Sequence, residues 1–235
     1  MLVSGTCAEE LQDDYRTTFL NQAVCDVVMN WTKKRLAVEL SKLHNFGKVD
    51  VELEQYATPS EIAADWIWNA AMNGDIVGKV IVDAASGPGI LGCGALLMGA
   101  KKVIFVDKSD EALELVKKNV EMLEQAYFIG KSESWCGDIE DFKGKADVVV
   151  QNPPFGTKIK HTDKVFLEKA FGVAPIVYSM HKIETTQFVE AMARDHAFQI
   201  TGVWMYDFGL KQTLPWHKSR MYYVKVGLWR MSLKK

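Results

Sequence analysis

The stretch Val80-Ile81-Val82-Asp83-Ala84-Ala85-Ser86-Gly87-Pro88-Gly89-Ile90-Leu91-Gly92 decides the fold. Val80 to Asp83 is a short apolar strand ending in an acid, and a glycine-rich turn carries the chain into a helix over Ile90 to Met98. The alternation then repeats. Val103 to Asp107 is a second apolar strand ending in an acid, followed by an amphipathic helix over Asp110 to Gln125 with Ala112, Leu115, Val116, Asn119 and Leu123 on one side. A weaker third strand falls at 132–137 and a fourth at Ala146 to Gln151. Then come a helix near 163–171, a strand at 173–179, a helix at 185–196, and two longer strands near 198–207 and 220–231. Continuous apolar strands separated by helices predict an α/β fold, a doubly wound, largely parallel sheet covered on both faces. Such sheets bind ligands beyond the carboxyl ends of the strands, where the strand order reverses.

Upstream, residues 1–50 read as helical. Phe19, Leu20, Ala23, Val24, Val27, Val28 and Trp31 recur at helical spacing and form one apolar face, suited to packing on the domain. Thr58, Pro59 and Glu61 spell a capping box with proline at the first helical position, which predicts a helix running to about Asn73. No repeat, low-complexity tract or linker interrupts the chain. The organisation expected is an N-terminal helical extension over 1–50 and one domain over 51–235.

The 235 residues are 48% apolar and 25% charged, which excludes a disordered tail, a collagen-like repeat and a disulfide-dense mini-protein. The net charge of −2 hides an asymmetry. Residues 1–150 hold 15 Lys/Arg and 24 Asp/Glu, a balance of −9, whereas residues 151–235 hold 13 and 6, a balance of +7. The C-terminal part is thus suited to an anionic partner, the plain alternative being a salt-bridged surface. Cys7, Cys25, Cys93 and Cys136 form no C-x-x-C pair, so small buried thiols are expected rather than a metal site or disulfides. No signal peptide is expected at the start of the chain. Val80 to Ala100 is a poor membrane span because Asp83, Pro88 and five glycines interrupt it. A soluble, cytoplasmic protein is expected.

Three features fall at the carboxyl ends of expected strands. The turn after Asp83 lets backbone approach a ligand, and residues 87–92 satisfy G-x-G-x-x-G, by itself a weak dinucleotide fingerprint. Asp107 ends the second strand, where an acid accepts hydrogen bonds from ribose hydroxyls. NAD and S-adenosylmethionine fit these two features equally. The third is Asn152-Pro153-Pro154-Phe155-Gly156, directly after the fourth strand. Two prolines cannot continue a ladder and hold the backbone in a fixed corner. The Asn152 side-chain oxygen and the Pro153 carbonyl can each accept a hydrogen from a planar amino group, turning the nitrogen lone pair towards a methyl donor. Phe155 can stack on the ring, as aromatic side chains do on single-stranded bases.

Asn-Pro-Pro-[Phe/Tyr] after strand four resembles the signature of amino-group methyltransferases that use S-adenosylmethionine. More closely, the chain resembles the archaeal and eukaryotic family that N6-methylates an adenosine in small-subunit ribosomal RNA. The shared blocks are Leu53-Glu54-Gln55-Tyr56 with Thr58, Asn152 to Lys158, Thr162-Asp163 before Phe166-Leu167, and Val177-Tyr178-Ser179 with His181-Lys182. They span about residues 35–235. Two positions depart from the family. Ala85 stands at the first glycine of D-x-G-x-G-x-G, and Ala57 stands where proline is usual.

The resemblance implies a seven-stranded class I methyltransferase fold with a final antiparallel hairpin. It implies a cofactor bordered by Asp83, Ala85, Gly87, Gly89 and Leu91, with Asp107 at its ribose and Asp138 at its adenine amino group. Gln55, Tyr56 and Thr58 are expected as a lid, and Asn152, Pro153, Pro154 and Phe155 as the catalytic corner, with Asn152 also touching the cofactor. Lys158, Lys160, His161, Lys164, His181, Lys182, Lys218 and Arg220 are expected along RNA, with Lys211 and His217 near the last hairpin. His161, His181 and His217 are not expected to hold a metal, and Trp66, Trp68 and Trp204 are expected in the core. Eukaryotic relatives pair with a small activator protein. The rival substrates are DNA adenine and a protein glutamine, and the rival class is a noncatalytic RNA-binding or ribosome assembly protein.

Overall fold

The computed structural model describes residues 31–47, 58–154, 162–211 and 221–234. The strands are β1 Val80–Ala84, β2 Lys102–Asp107, β3 Lys131–Cys136, β4 Val148–Gln151, β5 Ile176–Lys182, β6 Phe198–Lys211 and β7 Met221–Leu233. They form one sheet of seven in the order β3-β2-β1-β4-β5-β7-β6. β1 to β5 pair in parallel, while β7 runs antiparallel to both β5 and β6. The order reverses between β1 and β4, so the crevice expected of a doubly wound sheet opens at their carboxyl ends.

The helices are α1 Lys33–Leu40, α2 Ser60–Met72, α3 Ile90–Leu97, α4 Asp110–Ala126, α5 Thr162–Val173 and α6 Thr186–Asp195. Leu36, Leu40, Ile67, Leu96 and Val116 place α1 to α4 on one face. Leu167, Val189 and Met192 place α5 and α6 on the other. Leu36 and Leu40 share one apolar cluster with Ala63, Ile67 and Leu96, so α1 is continuous with the domain core. Trp66 is fully buried, and Trp68 and Trp204 pack against the same cluster. The apolar face expected over residues 19–28 lies outside the described residues, as do Cys7 and Cys25. Cys93 is buried as expected, but Cys136 is exposed at the end of β3, its thiol 3.1 Å from Asp110 Oδ1.

The capping box expected at Thr58 does not form. α2 starts from Pro59 without a side-chain cap, and the buried Thr58 hydroxyl is engaged elsewhere. By contrast, Ser109 caps α4 by accepting from Ala112 N at 3.2 Å, and Asp110 and Glu111 in the first turn favour the positive end of the helix dipole.

The C-terminal hairpin is rooted in a buried ion pair. Arg230 of β7 grips Asp75, which follows α2, through Nε to Oδ2 at 2.8 Å and Nη2 to Oδ1 at 3.2 Å, and Tyr178 of β5 donates to the same carboxylate at 2.6 Å. Burial, with the Asp75 charge beside it, pushes the Tyr178 phenol well above its ordinary pKa. A second tie joins Tyr206 of β6 to Asp65 of α2 at 2.7 Å.

α3 lies close on β2 because Gly89 and Gly92 carry no side chain. A Cβ at Gly89 would meet the Phe105 ring and Val116 Cγ2 at 2.9 Å, and one at Gly92 would run into the same ring and reach Val103 Cγ1 at 2.9 Å. We therefore expect Gly92→Ala to lower stability by about 1–3 kcal/mol despite its better helix propensity, because an overfilled core outweighs propensity. Chemical denaturation of the purified variant checks this.

Candidate active site

The turn between β1 and α3 is held from four sides. Asp83 Oδ2 accepts from Gly92 N and Asp107 Oδ2 from Gly87 N, each at 2.8 Å. Ser86 N donates to the Val106 carbonyl at 3.1 Å. Asn119 of α4, fully buried, donates to the carbonyls of Pro88 and His44 at 2.9 Å and accepts from His44 N at 2.7 Å. One amide thus pins the glycine turn to the segment preceding residue 48. Phe46 stands 3.7 Å from where a Cβ on Gly87 would be.

The backbone turns left-handed at Ala85 (φ 54°), Gly87 (51°) and Gly89 (83°). Glycines suit two of these positions, while Ala85 bears a strain of about 1–2 kcal/mol. Leu91, expected beside the cofactor, is buried in the first turn of α3.

The acids divide their work. Asp83 is 1% exposed, and burial holds its carboxyl well above the usual carboxylate range, the Gly92 N–H opposing and the Asp107 charge reinforcing this. It pegs the turn from beneath. Asp107 is half-buried and accepts from Gly87 N and from Ser109 N at 3.0 Å, which holds its carboxylate at the end of β2. Asp138 is exposed after β3 and accepts from Glu140 N at 3.1 Å.

Across the crevice, β4 ends in the buried Gln151 and the chain turns through Asn152, Pro153 and Pro154. Asn152 Nδ2 donates to Thr58 Oγ1 at 3.0 Å. Its Oδ1 is shielded from water and has no hydrogen-bond partner among the described residues. The same holds for Ser86 Oγ and Gln151 Oε1. Ala84 pairs with Gln151 across β1 and β4, so these polar atoms belong to neighbouring strand ends. A buried acceptor without a donor costs about 1–3 kcal/mol, and such a cluster at a strand-order switch is what a ligand with N–H and O–H groups would satisfy.

Behind the corner runs a buried chain that the sequence did not disclose. Gln151 Nε2 donates to Ser179 Oγ at 2.9 Å, and Ser179 Oγ lies 2.6 Å from His181 Nε2. His181, expected along RNA, is 2% exposed, with Trp229 edge-on to its ring. It is a core histidine because alternation along β5 turns it to the face under α6. Burial pulls its pKa down to about 3, so it is neutral at physiological pH. Lys182 is half-buried at the end of β5. Lys164 is exposed on α5 and lies 3.5 Å from Glu168. Gln55, Tyr56, Phe155, Lys158, Lys160, His161, His217, Lys218, Arg220 and the Lys211 side chain lie outside the described residues. Among the described residues no group of three or more His, Cys, Asp or Glu is placed to hold a metal ion, and no helix is long and apolar enough to cross a membrane.

Strand order, left-handed turn and acid-ended β2 define a Rossmann-like class I methyltransferase fold, and similarity to known proteins agrees. The chain belongs to the family described as conserved hypothetical protein 95, which matches residues 63–200. A solved structure from Pyrococcus horikoshii, provisionally described as an RNA methyltransferase, is 37% identical, covers 87% of this chain and 99% of its own, and superposes with a TM-score of 0.80. The rRNA N(6)-adenosine-methyltransferase metl-5 of Caenorhabditis elegans is 34% identical over 64% of this chain and 73% of its own length. The METTL5 enzyme of Danio rerio, of the same description, is 28% identical over 85% of this chain and 98% of its own.

Ala85→Gly relieves the left-handed strain but frees the unfolded chain, so the net gain is expected to be under about 1 kcal/mol; a rise in Tm, with tighter binding of S-adenosylmethionine by calorimetry, checks it. For His181 the unfolded chain holds more protons than the folded one between the ordinary histidine value, about 6.5, and about 3, so stability must fall as pH drops through that window. In His181→Gln this contribution to the slope, at most one proton, disappears, which urea titrations across the window would read out.

Proposed function

We infer that this chain transfers a methyl group from S-adenosylmethionine to the N6 amino group of an adenosine in ribosomal RNA. The observation that carries the reading is the Asn152 amide. Its Nδ2 lies 3.0 Å from Thr58 Oγ1, and its buried Oδ1 is left as an acceptor without a donor among the described residues. An exocyclic amine supplies such a donor. With the Pro153 carbonyl as second acceptor, both amino hydrogens are engaged and the nitrogen lone pair is directed out of the ring plane.

S-adenosylmethionine supplies the electrophilic methyl group when bound. The residues that would hold it are the backbone of Gly87 and Gly89 and the Ser86 hydroxyl at the methionine end, Asp107 at the ribose and Asp138 at the adenine. Thr58 keeps Asn152 in register, Asn119 keeps the turn against the segment before residue 48, and Asp83 keeps α3 seated. The amino proton leaves after the methyl arrives, so no strong base is needed and catalysis is mostly positioning. The target must be unstacked or drawn from a loop, at a cost of a few kcal/mol. Small-subunit RNA as substrate, stacking by Phe155, phosphate contacts by the lysines after the corner, a small activator partner and a cytoplasmic location are part of the same proposal and rest on the sequence resemblance.

Labelled methyl transfer tested on ribosomal RNA, DNA and protein fractions should mark the RNA; label in protein alone would refute the assignment. Asn152→Ala should abolish turnover while leaving S-adenosylmethionine affinity nearly intact. Thr58→Val, which keeps the shape but removes the hydroxyl, should lower kcat at least tenfold, because the Asn152 amide loses the bond that holds it in place. Full activity in either variant contradicts the roles of Asn152 and Thr58.

A further inference from the structure

The sheet face that packs against α5 and α6 changes character at the end of β4. Val149 of β4 pairs with Val177 of β5, which in turn pairs with Met231 of β7, and all three are buried in one apolar cluster. Two residues farther along the same face, Gln151 stands opposite Ser179, and His181 follows Ser179 by the same alternation. These three side chains are buried as well. Trp229, paired with Ser179 across β5 and β7, stands beside them with its ring centre 5.9 Å from that of His181.

An amide, a hydroxyl and an imidazole fill a core less well than three apolar side chains, because each gives up hydration that only its neighbours can offset. What such a row provides is direction. Ser179 has one hydroxyl proton, so it donates to one neighbour and accepts from the other. At 2.9 Å from Gln151 Nε2 and 2.6 Å from His181 Nε2, it locks the amide and the ring to each other.

The row sits where the chain most needs an anchor. Gln151 is the last residue of β4, and of the three residues after it Pro153 and Pro154 have no backbone N–H with which to extend the ladder. Thr58, which leads into α2, reaches Asn152 from the other face of the sheet. Resting on the methyl-transfer reading, we propose that Ser179 and His181 are positioning residues for the reaction: they fix the Gln151 side chain beneath the corner, as Thr58 fixes the Asn152 side chain above it. Neither touches a reacting atom, so their effect falls on the transfer step rather than on the binding of RNA or cofactor.

The test compares wild type with Ser179→Ala, Ser179→Thr, Gln151→Met and the double variant Ser179→Ala/Gln151→Met. Methyl transfer to ribosomal RNA, S-adenosylmethionine binding by calorimetry and Tm are measured for each. Ser179→Ala and Gln151→Met should each lower kcat on the order of tenfold, with KM for RNA and cofactor affinity near wild type. The double variant should lose no more than the worse single one, as members of one unit do. Ser179→Thr, which keeps the hydroxyl, should recover most of the loss. Wild-type kcat in Ser179→Ala, with only Tm lowered, makes the row a feature of the core alone and overturns the proposal while the methyl-transfer reading stands. Losses that multiply in the double variant overturn it too, since Gln151 and Ser179 then act separately. Should Ser179→Ala fail to fold, Gln151→Met, close in length and shape to the native residue, decides: an unchanged kcat refutes the positioning role. A wild type that marks no RNA refutes the methyl-transfer reading itself, and the positioning role falls with it.

Discussion

The seat of the Phe105 ring against Gly89 and Gly92 governs the rest. Because no side chain intervenes, α3 approaches β2 closely, and only then do Asp83 and Asp107 reach the N–H groups of Gly92 and Gly87 at 2.8 Å. Those bonds fix a turn with three left-handed residues, which would otherwise sample many shapes. The turn beside the ends of β1 and β4 is therefore held by bonds within the protein itself.

Much of the architecture was legible in the sequence because apolar strands of four to six residues alternate with amphipathic helices, and the ends of the strands carry distinctive residues. Val80–Ala84 and Lys102–Asp107 lie within a residue of where their patterns put them. The corner at Asn152 was legible for the same reason, since two prolines after an apolar strand admit few structures. What sequence could not reveal depends on contacts across long separations. Thr58, Pro59 and Glu61 fit a local helix cap, yet the Thr58 hydroxyl goes to Asn152, 94 residues away. Asn119 read as one position on a helical face, and only packing shows its amide bridging Pro88 and His44.

His181 shows the same limit with a different sign. Beside Lys182 in one of the blocks that carry the family resemblance, it was expected along RNA. Strand alternation sends the two residues to opposite faces, and the imidazole ends as the terminus of a buried hydrogen-bonded row behind Gln151. A shared block places a residue on a surface only after the faces of its strand have been assigned. Cys136 erred the other way: a small thiol suited to a core sits exposed at the end of an edge strand.

The ion pair between Arg230 and Asp75 carries a mechanical consequence. It clamps the hairpin at the amino edge of the sheet, and the Tyr206–Asp65 bond grips it again midway, so the hairpin is a beam fixed along one half and unsupported by β5 along the other. Bending of such a cantilever grows towards its tip while its root stays still. Bending of the overhang is therefore borne by β6 and β7 alone and leaves β5 and the corner that β4 presents in place.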